Sequence, residues 1–263
     1  MSIVKLMKSA FFLWKKYFIK IALSGFIVYL PTQISIELVS LLLKNLNDVK
    51  LINNIYNIIK DVFGSVALLG IINFSVKILN NEKEQTVSEI ISHGLKKWGE
   101  FIGTGFIAGC KILLYFILLV IPGIYKSVRL SFIDCVVSTS DSSFTDACNE
   151  SEKLTEGKWW RVFGFLILMF LLEFLFEVIV ILPIYQYMES NIVSIVLGVI
   201  IKIFETYFIV VKANYYFNLV KIKERNITLS EKENIQTVIK NELEDSNILN
   251  EASEKQTGES IMD

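Results

Sequence analysis

From Met1 to Leu219 the chain alternates long apolar runs with short polar stretches. Six runs stand out, at about 17–43, 55–79, 101–121, 124–137, 162–182 and 192–217. A helix needs about 20 apolar residues to cross the hydrocarbon of a bilayer, so run length separates a membrane span from a buried core helix. Five of the runs meet that length. The fourth is short and carries Lys126, Arg129 and Asp134, so it crosses only if its charges are sheltered inside the bundle. Pro31 lies within the first run, which a membrane helix tolerates when neighbours satisfy the freed backbone. Pro122-Gly123 and Pro183 end the third and fifth. The pattern predicts an all-α membrane protein, a six-helix transmembrane bundle over residues 1–225.

Two polar stretches interrupt these runs, and both read as amphipathic helices lying in the membrane interface. One begins Thr86-Val87-Ser88-Glu89, the other Ser143-Phe144-Thr145-Asp146. In each, a hydroxyl residue precedes an acid by three positions, the signature of a capped helix start. Trp98 and Trp159-Trp160 stand where each stretch meets its span, matching the interfacial preference of indole. The stretches align with each other: Thr86 with Ser143, Glu89 with Asp146, Trp98 with Trp159, Gly103 with Gly164, Pro122 with Pro183. This predicts a parallel repeat of about 86–123 and 143–183. The N-terminal part, with Trp14 and Pro31, reads as a degenerate third copy.

Charge refines the picture. The chain is 53% hydrophobic, above the roughly 45–50% usual for a soluble domain. Residues 226–263 hold nine acids and three bases, so of the net charge of -1 that segment carries -6 and the rest +5. The segment has no aromatic residue and predicts an acidic cytoplasmic tail, mostly disordered. Ser230 and Glu233 offer a capping box that would start a short exposed helix over about 231–244. With the N-terminus inside, the inner segments hold fourteen bases, from Lys5 and Lys8 to Lys223 and Arg225. The outer ones hold Lys44, Lys50 and Lys126. The bias of lysine and arginine places both termini in the cytoplasm. The bases gather at span ends and form no stripe with aromatics, which argues against nucleic acid as a partner. Membrane lipids are the expected surroundings, and the tail offers a docking site for a protein partner.

Candidate chemistry is sparse. His93 is the one histidine, read as a surface residue of an interfacial helix. Cys110, Cys135 and Cys148 have no motif spacing and read as packing residues. No catalytic, cofactor-binding or metal-ligating constellation is expected. Ionisable groups inside spans are costly and are either functional or paired. They occur at Glu37, Lys111, Glu173, Glu177, Lys202, Glu205 and Lys212, besides the three of the fourth run. Glu173 and Glu177 stand four apart, on one helix face. With Arg129, Lys202 and Glu205 they form the candidate intramembrane polar path, able to bind a cation, a proton or a polar headgroup. In the alternative, Lys202 pairs with Glu205 within its helix and Glu177 with Arg129 across the bundle.

Some short motifs resemble a family. Ile121-Pro122-Gly123-Ile124-Tyr125, Arg129-Leu130-Ser131-Phe132, Asp146-Ala147, Ser151, Gly157 and Trp159 to Gly164 resemble the glycerophosphoryl diester phosphodiesterase membrane domain and the related YciC-like bacterial membrane proteins. The resemblance covers roughly residues 1–219. It implies a six-helix membrane domain and carries no activity, because that family's chemistry belongs to a separate soluble barrel rich in histidines and metal-binding carboxylates. The lysine- and isoleucine-rich composition resembles chains of low-GC bacteria, which implies a bacterial plasma membrane. The expected function is a non-enzymatic scaffold or accessory factor in envelope or lipid homeostasis. The alternative is a transporter, exporter component or lipid-handling protein that uses the intramembrane charges.

Overall fold

The computed structural model describes residues 3–43, 49–181 and 191–259, and all regular structure among them is helical. Two compact units divide the chain, Met1–Asn218 and Leu219–Asp263. Within the described residues four stretches are long and apolar enough to cross a membrane: Phe18–Ile36, Asp61–Leu79, Val87–Leu118 and Trp159–Val180. They match the first, second, third and fifth predicted runs.

Helix α1 (Ile3–Lys16) precedes the first span and is a helix of its own. Leu6, Ala10 and Leu13, at helical spacing, are buried, while the four lysines are exposed or project outward. The indole N–H of Trp14 donates to Thr206 Oγ1 at 2.9 Å, and Asn214 Nδ2 donates to Ser9 Oγ at 3.1 Å. Helix α2 (Phe18–Leu43) contains Pro31, as expected. Nearby hydroxyls bond back into the helix, Thr32 to the Val28 carbonyl at 2.7 Å and Ser35 to the Pro31 carbonyl at 2.8 Å.

Helix α3 (Val49–Leu79) and helix α4 (Val87–Leu118) cross with their backbones nearly touching. A Cβ on Gly70 would lie 2.4 Å from the Ile90 carbonyl oxygen, and one on Gly94 would lie 2.0 Å from that of Val66. Small residues permit such approach. The capping box at Thr86 forms, with the Glu89 N–H donating to Thr86 Oγ1 and the Thr86 N–H to Glu89 Oε2. The interfacial helix predicted after it is not a separate element: it runs unbroken into the third span as the first half of α4. Some of its charges find partners in the protein. Lys97 is buried and pairs with Glu100 at 3.0 Å and Asp141 at 3.6 Å. His93, expected at the surface, is half-buried with Nε2 2.7 Å from the Ser138 carbonyl, so that nitrogen carries the proton and donates.

Helix α4 ends four residues before Pro122, at Leu118; Leu119 is extended (φ −164°, ψ 149°). Proline cannot donate to the carbonyl four residues back and its ring crowds that carbonyl. The fourth predicted span, 124–137, is therefore corrected: it is two short helices, α5 (Val120–Arg129) and α6 (Ile133–Thr139), with a turn between. Together they return along α4. Gly123 lies against Phe116, Leu130 packs with Ala108, and Ser138 meets His93. Their charges are met by protein groups, as shelter requires: Lys126 pairs with Glu152 at 2.7 Å and Asp134 with Lys212.

Helix α7 (Phe144–Thr155) is the second amphipathic stretch, and its apolar face is buried against α4 and α6. The capping box predicted at Ser143 and Asp146 does not form through side chains. Phe144 takes a positive φ of 52°, its N–H donates to Thr104 Oγ1 at 2.8 Å, and its ring occupies the space over Gly103. That tertiary contact replaces the local cap. Gly157, at φ 68°, turns the chain into α8 (Trp159–Phe176), where α4 runs straight through. The aligned tryptophans make matching contacts. Trp98 stacks on Phe63 and donates to the Val62 carbonyl at 2.7 Å; Trp159 stacks on Tyr125 and donates to the Tyr125 carbonyl at 3.3 Å. Gly164, unlike Gly103, has open space where its Cβ would be.

A π-helical turn, Glu177–Ile181, continues α8. Pro183 and the predicted end of the fifth run lie outside the described residues. Helix α9 (Asn191–Glu259) holds the sixth run and continues into the second unit. The tail, expected to be mostly disordered, is thus helical to Glu259, well beyond the short helix of 231–244. Neither glycine nor proline occurs from Val199 to Thr257, and pairs such as Lys221–Glu224 at 3.0 Å support exposed helix.

Candidate functional site

Helices α2, α3, α8 and α9 border an open-sided chamber of about 1220 Å³, to which Phe101 of α4 and Asp134 of α6 also contribute. All of it belongs to the first unit. The chamber forms because each surrounding helix breaks its apolar surface with polar residues at helical spacing: Tyr29 and Gln33 on α2, Asp61 and Ser65 on α3, Glu173 and Glu177 on α8, Lys202, Glu205 and Lys212 on α9. Glycines thin the wall at Gly64 and Gly198. The remaining surface is aromatic and aliphatic, with Phe165, Phe170, Phe176 and Phe208 prominent. Three of these knit α8 to α9, as Phe165 stacks on Tyr215 at 3.9 Å between centroids and Phe176 meets Phe208 edge-on.

The lining carries five carboxylates and two ammonium groups. Both lysines are engaged. Lys212 donates to Asp134 at 2.7 Å, linking α9 to α6, and Lys202 pairs with Glu205 within α9. Among the described residues, no cation lies within ion-pair distance of Asp61, Glu173 or Glu177. The chamber thus has a formal charge of three negative units. Charges in an apolar surround interact strongly because little water screens them. Tyr29 is 8% exposed, with its ring held between Gly25 and Gly64.

Four of the five residues of the predicted polar path, Glu173, Glu177, Lys202 and Glu205, line this one chamber. Arg129 does not. Its Nη2 donates to the Glu152 carbonyl at 2.8 Å and its guanidinium lies over the Tyr125 ring. The expected pairing of Glu177 with Arg129 is therefore corrected, because the turn at 130–132 directs Arg129 toward α7. The expected pairing of Lys202 with Glu205 is present. The side chain of Glu37 lies outside the described residues. The sequence reading missed Tyr29, Gln33 and Asp61. Asp61 lies inside the second predicted run, 55–79, and was passed over among its ionisable groups. Tyr29 reads as an ordinary aromatic of a span, and only its spacing from Gly25, one turn earlier, hints at a packed ring. Among the described residues no group of three or more histidine, cysteine, aspartate or glutamate side chains is placed to hold a metal ion. The arrangement suits non-covalent binding: fixed negative charge, the hydroxyls of Tyr29 and Ser65, and apolar walls.

The chain belongs to the family described as Domain of unknown function (DUF7847), whose model matches residues 55–219. The match takes in every chamber-lining helix except α2. The names suggested by the sequence motifs, glycerophosphoryl diester phosphodiesterase membrane domain and YciC-like, gain no support from it. No curated protein and no solved structure matches the chain.

Proposed function

We propose that this member of the DUF7847 family is a multi-pass protein of a bacterial plasma membrane that binds and moves a small polar or amphipathic molecule. The observation that carries the reading is the chamber. A cavity of this size exceeds the roughly 300–1,000 Å³ of most ligand pockets, and ionisable groups facing the interior of a membrane bundle mark substrate or ion paths by default. Six passes with both termini cytoplasmic follow from the lysine distribution, the fourth being the broken α5–α6 segment. The matching contacts of Trp98 and Trp159 support a parallel repeat as the origin of the second half.

A non-enzymatic scaffold or accessory factor was the first expectation from sequence. Its support was the parallel repeat with interfacial helices and no dedicated midplane site, and the chamber weakens the last of these. The acidic segment after Arg225 still favours a protein partner on the cytoplasmic side.

Gentle purification from native membranes, followed by mass spectrometry of co-purifying lipids, small molecules and proteins, tests both. A bound small molecule or lipid, absent from Gly64→Leu protein whose chamber is narrowed, supports the binding reading. A stoichiometric protein, lost on deleting residues 226–263, with no chamber-dependent ligand, would replace it with the accessory one.

A further inference from the structure

The geometry points to an amphipathic organic cation, an N–H ammonium on an apolar body, as the ligand of the chamber; this deepens the proposed function and rests on it. The lysines leave the carboxylates in excess. Lys202 and Lys212 are each held by a carboxylate, and Glu173 on α8 and Glu177 at the start of the π-turn have no cation within ion-pair distance among the described residues. An anionic ligand would meet a net negative wall. A bare metal ion would find no convergent set of three ligands among the described residues. A cation that brings its own bulk suits both the charge and the volume.

Tyr29 supplies an independent sign. It lines the chamber while only 8% exposed. Its ring is fixed, since a Cβ on Gly25 would lie 3.2 Å from Tyr29 Cε2 and one on Gly64 would lie 3.7 Å from Cε1. Its hydroxyl makes no hydrogen bond among the described residues, and the residue lines the chamber, where the hydroxyl can accept from a ligand N–H. The walls favour the same class of ligand. Phe170 and Phe176 on α8 and Phe208 on α9 line the chamber together with the two glutamates, and aromatic faces attract ammonium groups within about 6 Å. The π-turn begins at Glu177 itself. Such turns widen a helix locally and recur at functional sites.

Whole protein in phosphatidylcholine nanodiscs, titrated with rhodamine 6G, a cationic aromatic dye bearing N–H groups, tests the assignment by fluorescence anisotropy, with empty nanodiscs subtracted. Fluorescein serves as the anionic counterpart. Saturable binding of rhodamine 6G is expected, with weaker or no binding of fluorescein. Glu173→Gln with Glu177→Gln should weaken it at least about tenfold, as loss of a desolvated charge partner does. Tyr29→Phe should weaken it about threefold to tenfold, and Gly64→Leu should abolish it. Glu173→Gln alone serves if the double variant does not fold. If rhodamine 6G binding survives the Glu→Gln changes, or fluorescein binds as tightly, while Gly64→Leu abolishes either, the cation assignment is overturned and the chamber remains a binding site. If neither dye binds in a saturable, Gly64-sensitive manner, both readings fall.

Discussion

Lys212 of α9 reaches Asp134 of α6 at 2.7 Å, and both groups face the chamber. Asp134 is 5% exposed. The contact ties the broken fourth segment to the last helix of the bundle. Removing one partner of such a buried pair strands the other charge. Asp134→Asn is expected to cost about 3 kcal/mol, read as a lowered melting temperature in detergent. Asp134→Leu combined with Lys212→Met should recover most of that loss. If Asp134→Asn melts like the parent, the pair is not a structural tie.

The crossing of α3 and α4 has no room for a side chain. Gly94→Ala drives a methyl into the Val66 carbonyl, and Gly70→Ala drives one into that of Ile90. Overpacking of this kind costs about 1–3 kcal/mol. Gly105→Ala on the same α4 meets nothing within 4 Å and should be neutral or mildly stabilising, because alanine favours helix over glycine. Melting temperatures of the three variants rank the effects. Equal behaviour of Gly94→Ala and Gly105→Ala would contradict the close crossing.

Acid should loosen the loop between α3 and α4. Lys20 Nζ donates to Glu84 Oε2 at 2.7 Å and the Tyr17 hydroxyl to Oε1 at 2.9 Å. These bonds, that of Lys20 first, hold the Glu84 carboxyl below its ordinary value of 4.5. A depressed carboxylate contributes stability that is present above its unfolded value and is lost as pH falls through its folded one. The anchoring is thus complete at neutral pH and disappears below 4.5. Amide protection over residues 80–86, corrected for the intrinsic pH dependence of exchange, should fall on acidification in the parent, and Glu84→Gln should show the lowered protection already at pH 7. A flat pH response in the parent would rule the anchor out.

Topology is open to direct test. A reporter active only in the cytoplasm, fused after Arg225, should be active, and one fused at Lys50 should be silent. Reversal of the two signals would invert the orientation read from the lysine distribution.

Helix content and most spans were legible because run length and capping are local signals. The apolar runs marked α2, α3 and α8, and Thr86 with Glu89 marked the start of α4 to the residue. What failed was set by partners distant in sequence. Nothing near Ser143 shows that Thr104 will take the N–H of Phe144, so the second cap looked like the first. Lys97 looked like an interfacial base although Glu100, its nearer partner, stands three residues on; Asp141, its second partner, lies in a different polar stretch. Pro122 was rightly seen as an end of α4, but its other effect, starting a second short helix that stops at Arg129, turned one predicted span into two pieces. Of the candidate path, the members on α8 and α9 were found from intrahelical spacing. Arg129 was misassigned because a three-residue turn decides which way it faces. Of the lining residues that were missed, Tyr29 needed knowledge of which glycines pack beside it.

The contacts of Ser9 with Asn214 and Trp14 with Thr206 span 205 and 192 residues of sequence. A ribosome delivers α1 and α2 long before it delivers α9. Until then the inward face of α1 (Leu6, Ala10 and Leu13) and the polar side of α2 lack this partner. The chamber therefore closes as a late event of synthesis, and nascent chains stalled before residue 206 must rely on lipid, an insertase or a chaperone to cover those surfaces.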